Sequence, residues 1–151
     1  MLPITRVLNY IYYKYENYNY IDADFHSYKI KTPTQFNEQR GGICWDFVVA
    51  MAYDLDYYNI PYKCYYTVVY NKNKKVATHT YIIVNNKFCI ECSWQKYKGI
   101  STVDSYADVE DLLVDYYNGT HVSTVEYNPI KTQGMTNKQF FSYLELNGIE
   151  V

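Results

Sequence analysis

The sequence predicts an α+β fold in which helices precede and follow an antiparallel sheet. Apolar residues recur at helical spacing early in the chain, and three strand-like runs then follow one another with only short turns between them. Short turns join antiparallel neighbours, whereas parallel strands need a long crossover. Further helical patterns come after the strands. Helices and strands are therefore segregated along the chain, as in α+β proteins.

Two helices and a helical turn are predicted before the strands. The first helix runs from about Pro3 to Tyr15, and residues 16–32 look irregular or weakly extended. Thr32 then caps a short helical turn that begins at Pro33. The apolar stripe of the first helix consists of Ile4, Val7, Leu8, Ile11 and Tyr15.

Gly41 and Gly42 break the chain before a second helix, which runs from about Cys44 to Tyr58. Apolar side chains at helical spacing predict that one face of this helix is buried. The stripe consists of Cys44, Phe47, Val48, Met51, Leu55 and Tyr58, and the residues off it include Asp46, Asp54 and Asp56.

The second half supplies the strands and two more helices. Strands are predicted at Tyr62–Tyr70, Val76–Val84 and Lys87–Ser93, with turns at Asn71–Lys75 and Asn85-Asn86. Capping-box patterns and glycines bound the later helices. These later elements are a helix from about Ser105 to Tyr117 with Asp108 in its capping box, a strand from about His121 to Tyr127, and a helix that starts with the Thr136/Gln139 box and ends at Gly148.

Composition indicates one globular domain over residues 1–151, with 48% hydrophobic and 20% charged residues. The formal net charge is −2 and no block of like charges occurs, which gives no support for a nucleic-acid or membrane partner. No apolar run approaches the roughly 20 residues that span a bilayer. The N-terminal segment lacks the pattern of a secretory signal. We therefore expect a cytoplasmic location, in which the four cysteines stay reduced.

The strongest chemical signal is the segment that leads into the second helix, Gln39-Arg40-Gly41-Gly42-Ile43-Cys44-Trp45-Asp46. Glycines allow a sharp turn and a close approach to a ligand. Cys44 then stands in the first turn of a helix, where free N–H groups and the helix dipole favour an anion such as a thiolate. A buried, inert cysteine is the alternative. Whether Cys44 is a reactive thiolate or an inert cysteine therefore depends on the residues that lie beside it.

His79 and Glu91 are the candidate partners of Cys44. His79 begins the apolar part of the second strand, and Glu91 stands among apolar residues of the third. An acid on a buried strand is costly unless it is paired. Together the three residues supply a nucleophile, a base and an orienting carboxylate, which are the roles that an activated thiol requires.

Spacing then distinguishes between families. Papain-type enzymes place the histidine roughly 130–150 residues after the cysteine, and fewer residues than that follow Cys44. The order of motifs instead resembles the transglutaminase-like superfamily. The matching stretches are Thr32-Pro33-Thr34-Gln35-Phe36, Arg40-Gly41-Gly42-Ile43-Cys44-Trp45-Asp46, His79-Thr80-Tyr81 and Lys87-Phe88-Cys89-Ile90-Glu91-Cys92-Ser93-Trp94, and the Arg-Gly-Gly-x-Cys stretch is also similar to arylamine N-acetyltransferases.

This resemblance covers about residues 3–100 and implies a papain/transglutaminase-like fold with Cys44 on a core helix packed against the sheet. The family has an aspartate where this chain has Glu91, on a strand shorter by one residue. Side chains alternate along a strand. A two-residue turn at Asn85-Asn86 would put Glu91 on the face opposite His79, whereas a three-residue turn including Lys87, or a bulge, would put both on one face.

Several further residues are candidates for an oxyanion donor, for the walls of a substrate cleft or for a metal site. The donor for an oxyanion is the Cys44 N–H or the side chain of Gln39 or Gln35. Trp45 and Trp94 are candidates for the walls of a substrate cleft, with core packing as the alternative. A zinc site at Cys89 and Cys92 is disfavoured, because these residues point to opposite faces of a strand. We expect neither a metal nor any other cofactor.

The sequence thus predicts a cysteine-dependent acyl-transfer enzyme that hydrolyses amide or peptide bonds of a protein or peptide substrate. Cys44 attacks the carbonyl, His79 protonates the leaving group and Glu91 orients the imidazole. Amine transfer to protein glutamine is one alternative. A catalytically inactive binding module on the same fold is another.

Overall fold

The computed structural model describes residues 3–21 and 27–148, and it confirms an α+β architecture. Part of the stretch predicted as irregular, residues 22–26, lies outside the described residues. The helices are α1 (Ile4–Tyr15), α2 (Pro33–Gln39), α3 (Cys44–Tyr57), α4 (Tyr106–Tyr117) and α5 (Asn137–Leu146). The strands are β1 (Asn19–Tyr20), β2 (Gly41–Gly42), β3 (Tyr62–Asn71), β4 (Lys74–Val84), β5 (Phe88–Glu91), β6 (Gly99–Thr102) and β7 (His121–Tyr127).

The main sheet has five antiparallel strands in the order β6-β5-β4-β3-β7. The predicted turn at Asn71–Lys75 is wrong, because Asn71 already pairs with Lys74 and only two residues turn between them. Strand β6 was not predicted, since it is short and half-exposed. A second, two-stranded sheet pairs β1 with β2 in parallel.

Two layers of helix cover the two faces of the main sheet. Helix α3 lies on one face, and it is buried on nearly all sides from Cys44 to Ala52 because α1 and α2 pack on its outer surface. Helix α4 covers the other face through Val109 and Leu113. Within the described residues, no helix combines the length and the apolar character that crossing a membrane demands.

Helix ends follow the expected local chemistry. The Thr32 and Thr136 side chains cap α2 and α5 in capping boxes with Gln35 and Gln139. At α4 the prediction was only partly right: Ser105 accepts a hydrogen bond from the Ala107 N–H, but the Asp108 carboxylate accepts from the N–H of residue 104 rather than from Ser105.

Candidate active site

Cys44 is the first residue of α3, so its side chain stands at the amino end of the most buried helix. The preceding helix, α2, ends at Arg40, which adopts a left-handed conformation with φ of 53°. Gly41 and Gly42 then pair with Asn19 and Tyr20. The chain therefore leaves one helix, forms two strand pairs and enters the next helix within five residues.

Both glycines are required by close contacts. A Cβ atom on Gly41 would lie 2.7 Å from the carbonyl oxygen of Asn19, and a Cβ on Gly42 would lie 2.4 Å from Asp46 Oδ2. Neither separation is possible for a real side chain, because both contacted atoms are fixed by the fold. The two glycines thus let β1 and the Asp46 carboxylate pack directly against the segment before Cys44.

Asp46 organises this segment, although it lies off the apolar stripe of α3. It is fully buried. Oδ2 accepts the Ile43 N–H at 2.8 Å and the Tyr28 hydroxyl, and Oδ1 accepts the Lys31 N–H at 2.7 Å. Burial raises the pKa of Asp46, and these hydrogen bonds act against that rise. The carboxylate thereby ties the first turn of α3 to the segment that contains Tyr28 and Lys31.

His79 and Glu91 meet on the face of the sheet that α4 covers. The turn between β4 and β5 has three residues, because Val84 pairs with Phe88 and Ile83 with Cys89. Asn85 and Asn86 both adopt positive φ values of 54°, and Lys87 is the third residue of the turn. This register puts Glu91 on the same face as His79, diagonally across the two strands.

A short hydrogen bond joins the two residues: His79 Nε2 lies 2.6 Å from Glu91 Oε1. The second carboxylate oxygen, Oε2, accepts hydrogen bonds from the Ser93 N–H and hydroxyl, both at 3.0 Å, and from the Trp94 N–H at 3.1 Å. Burial alone would raise the pKa of Glu91, but the charge of His79 and these hydrogen bonds lower it below its usual range. The buried glutamate is therefore a fully bonded carboxylate.

Cys44 lies close to His79, since its side chain is among the groups that raise the pKa of the imidazole. Because Glu91 holds Nε2, the ring nitrogen left for the thiol is Nδ1. Burial disfavours a charged imidazole, but the Glu91 carboxylate and Cys44 outweigh it and raise the pKa of His79 to about 10. The arrangement therefore favours a protonated imidazole.

This contact occurs where β4 and β5 separate. Their pairing is confined to the residues next to the turn, and the strands are no longer paired at the level of His79. Cys44 comes from the α3 layer, whereas His79 and Glu91 face the α4 layer. The candidate site thus lies in the gap between the two strands. The ring centroid of His79 is 6.0 Å from that of Tyr81, which stacks on it, and 5.3 Å from that of Trp94, which is tilted against it.

The other three cysteines have different surroundings. All four are free and buried. Burial raises the pKa values of Cys64 and Cys89 far above the usual range and that of Cys92 to about 12. Cys89 belongs to the core under α4 and Cys92 to the core under α3. Over residues 3–21 and 27–148, no three His, Cys, Asp or Glu side chains are arranged to hold a metal ion.

The remaining predicted residues are placed as follows. Gln35 is engaged in the capping box of α2, where its side-chain oxygen accepts the Thr32 N–H. Gln39 is exposed at the last position of α2, and its role as an oxyanion donor stays a prediction. Trp45 is buried against Phe140, with ring centroids 4.2 Å apart. Trp94 lies beside the His79 ring, and a substrate-binding role for either tryptophan stays a prediction.

Asp46 and Ser93 are the residues of this site to which the sequence reasoning gave no role. For Asp46 a usable signal was present: a carboxylate at the third helical position accepts the N–H of the residue before the helix, as in a capping box. Ser93 offered no such signal, because its bond to Glu91 depends on the chain bending after β5.

No protein-family model matches the sequence, and no curated protein matches it. Among solved structures, the chain is similar to Legionella pneumophila LapG, at a TM-score of 0.57 and 14% identity over 95% of this chain and 76% of that one. An EGTA-treated LapG gives a TM-score of 0.56 with coverage of 96% and 78%, and a calcium-bound LapG gives 0.50 with 95% and 78%, both at 14% identity. At this identity the likeness shows the fold alone: the chain shares the α+β architecture of LapG.

Proposed function

We propose that the protein is a cysteine-dependent acyl-transfer enzyme that hydrolyses amide or peptide bonds with Cys44 as nucleophile, His79 as acid and base, and Glu91 as the orienting carboxylate. The observation that carries the proposal is the His79 imidazole, which Glu91 Oε1 holds at 2.6 Å on one side and whose pKa Cys44 helps to raise. A nucleophile beside a base that a third group orients is the arrangement expected of covalent catalysis. The fold shared with LapG supports the same class of enzyme.

The proposed reaction has two halves. In the first, the Cys44 thiolate attacks the carbonyl carbon, and the His79 imidazolium gives its proton to the departing amine as the carbon–nitrogen bond breaks. The product is a thioester between Cys44 and the acyl group. In the second half, neutral His79 removes a proton from water, the resulting hydroxide attacks the thioester, and the thiolate leaves with the imidazolium restored.

The positions of the supporting residues fit these roles. Cys44 stands at the amino end of α3, where the partial positive charge of the helix dipole would stabilise an anion formed during the reaction. Glu91 cannot readily take the proton from the ring, because both of its oxygens already accept hydrogen bonds and its pKa is lowered. It therefore stabilises the imidazolium and fixes the ring orientation. The Cys44 N–H is available as an oxyanion donor, because the first N–H groups of a helix have no intrahelical partner.

Selective alkylation tests the proposal. Wild-type protein is treated with iodoacetamide at pH 6, and the alkylated cysteine is identified by mass spectrometry. We expect modification of Cys44 well ahead of Cys64, Cys89 and Cys92, which serve as internal controls because they are buried without an imidazole partner.

Two variants complete this test. His79→Ala should slow alkylation of Cys44 at pH 6 by at least about tenfold, since it removes the charge that favours the thiolate. Cys44→Ala should abolish fast labelling. Equal rates in wild type and His79→Ala would refute the proposal and leave an inactive binding module as the better description.

A further inference from the structure

A cavity of about 310 Å³ opens beside the candidate site. One of its walls is Trp45, the neighbour of Cys44, and another is Thr78, the neighbour of His79. Consecutive Cα atoms are about 3.8 Å apart, so the backbones of both reactive residues lie close to residues that line this cavity. Its lining is formed by Trp45, Lys75, Val76, Ala77, Thr78, Asn137 and Phe141.

The cavity is mainly apolar and carries one unused polar atom. The ring centroids of Trp45 and Phe141 are 6.0 Å apart, and Val76 adds an exposed aliphatic side chain. The Lys75 ammonium lies 5.4 Å from the centre of the Phe141 ring. Asn137 Oδ1 is buried and accepts no hydrogen bond from the described residues.

The cavity also lies along a free strand edge. On its β5 side, β4 is paired only at Ile83 and Val84, and the described residues place no strand beside it from Lys74 to Thr78. These five residues are exposed or half-exposed. An unpaired edge presents main-chain N–H and C=O groups, which an extended peptide can pair with.

We propose that this cavity is the subsite for a large apolar side chain of an extended polypeptide substrate, whose main chain pairs with the edge of β4 over residues 74–78. The proposal rests on the proposed function and names its class of substrate. The cavity is large enough for an aliphatic or aromatic side chain.

An extended substrate is favoured by the alternation of side chains along β4. Thr78 and His79 point to opposite faces of the sheet, so the cavity and the imidazole lie on different sides of the strand edge. Successive residues of an extended peptide also alternate. A chain laid along the edge can therefore put one side chain into the cavity while a neighbouring carbonyl reaches Cys44 and His79.

Cleavage of a peptide library tests the proposal. A mixture of peptides from a digested proteome is incubated with wild-type protein, and the new ends are identified by mass spectrometry. We expect one position within about three residues of the cleaved bond to be enriched in large apolar residues by about tenfold over small ones. Cleavage without such a preference would overturn the subsite.

A charge in the cavity should change the preference. Val76 is 39% exposed, so Val76→Asp is expected to fold. This variant should shift the enriched residues from apolar toward Lys and Arg. Ser101→Asp is the matched control, because it adds the same charge on exposed residue 101 of β6, and it should keep the wild-type preference. An unchanged preference in Val76→Asp would contradict the proposal.

Alkylation separates this proposal from the proposed function. If Cys44 is unreactive toward iodoacetamide at pH 6 and no peptide is cut, the proposed function fails and the subsite fails with it. If Cys44 reacts rapidly but no peptide is cut, the activated thiol stands and the polypeptide subsite is refuted. Ser101→Asp, which lies outside the cavity, should alkylate at the wild-type rate.

Discussion

His79 Nε2 lies 2.6 Å from Glu91 Oε1, and this contact determines which side of the imidazole faces Cys44. A carboxylate only accepts hydrogen bonds, so the ring carries its proton on Nε2 and keeps Nδ1 for the thiol. When the thiol gives up its proton, the ring receives it on Nδ1, and the resulting imidazolium is bonded at both nitrogens. The hydrogen bond therefore couples the orientation of the ring to its charge.

Glu91→Gln tests this coupling. The amide keeps the size of the side chain but removes the charge, and a charge-assisted hydrogen bond contributes about 1.5–3 kcal/mol. We expect alkylation of Cys44 at pH 6 to slow by about ten- to a hundredfold. Ser93→Ala is the matched control: it removes one donor to Glu91 but keeps the two backbone N–H donors, so its effect should be much smaller. Equal slowing in both variants would contradict a specific role for the carboxylate.

The pair should also make stability depend on pH. The pKa of His79 is raised to about 10, so its contribution is complete below the unfolded value of about 6.5 and is lost as pH rises through 10. The pKa of Glu91 is lowered, so its contribution is present above the unfolded value of about 4.3 and is lost as pH falls through the folded value. The loss of unfolding free energy in His79→Ala should therefore be largest between about pH 4.3 and 6.5.

Urea unfolding at pH 5.5, 7.5 and 9.5 measures this dependence. The difference in unfolding free energy between wild type and His79→Ala should shrink steadily across the three values. His121→Ala is the control, because His121 is exposed at the start of β7 and stacks on Tyr70 away from the site. A difference for His79→Ala that stays constant from pH 5.5 to 9.5 would show that the pair is not charged in the folded protein.

Asp46→Asn tests the organisation of the helix start. Asp46 accepts hydrogen bonds from two backbone N–H groups and a tyrosine hydroxyl, whereas an asparagine would turn an NH₂ group toward at least one of these donors. We expect a loss of about 2–3 kcal/mol in unfolding free energy and slower alkylation of Cys44. Asp54→Asn is the matched control near the other end of α3, where Asp54 bonds Tyr15 and Lys14. It should lower stability without changing the alkylation rate.

If both aspartate variants slow alkylation equally, the effect is a general consequence of loosening α3. If Asp46→Asn leaves the rate of Cys44 unchanged, the carboxylate stabilises the fold without positioning the nucleophile. Either result would remove Asp46 from the description of the site.

The elements that the sequence predicts well are helices with a periodic apolar stripe or a capping residue. Helices α1, α3 and α5 appear within a few residues of their predicted bounds, because apolar spacing and Thr caps act locally. The pairing of Asn19 with Gly41 is different. It joins two segments separated by an irregular stretch, and no local sequence pattern predicts it.

The same distinction applies to the candidate site. The three chemically suited residues, Cys44, His79 and Glu91, were identifiable from residue type and order. Whether Glu91 faces His79 depended on one residue of turn length, which side-chain preferences at Asn85 and Asn86 do not determine. Asp46 received no role because periodicity reports only whether a residue lies on the apolar stripe. In the sequence, a carboxylate that is buried among several hydrogen-bond donors gives the same pattern as an exposed carboxylate.

Gly42→Ala should be costly because of Asp46 in particular. The added Cβ would lie 2.4 Å from Asp46 Oδ2, which its hydrogen bonds hold in place. We expect a loss of about 2–3 kcal/mol in unfolding free energy, in the range of forced overpacking. In an Asp46→Gly background both the carboxylate and the Cβ of Asp46, which would lie 2.8 Å from the added atom, are absent, and the further cost of Gly42→Ala should fall to less than half. Urea unfolding of the four proteins gives this coupling as a double-mutant cycle. Additive costs would mean that Gly42 is required by the backbone alone, and that its contact with the carboxylate contributes nothing.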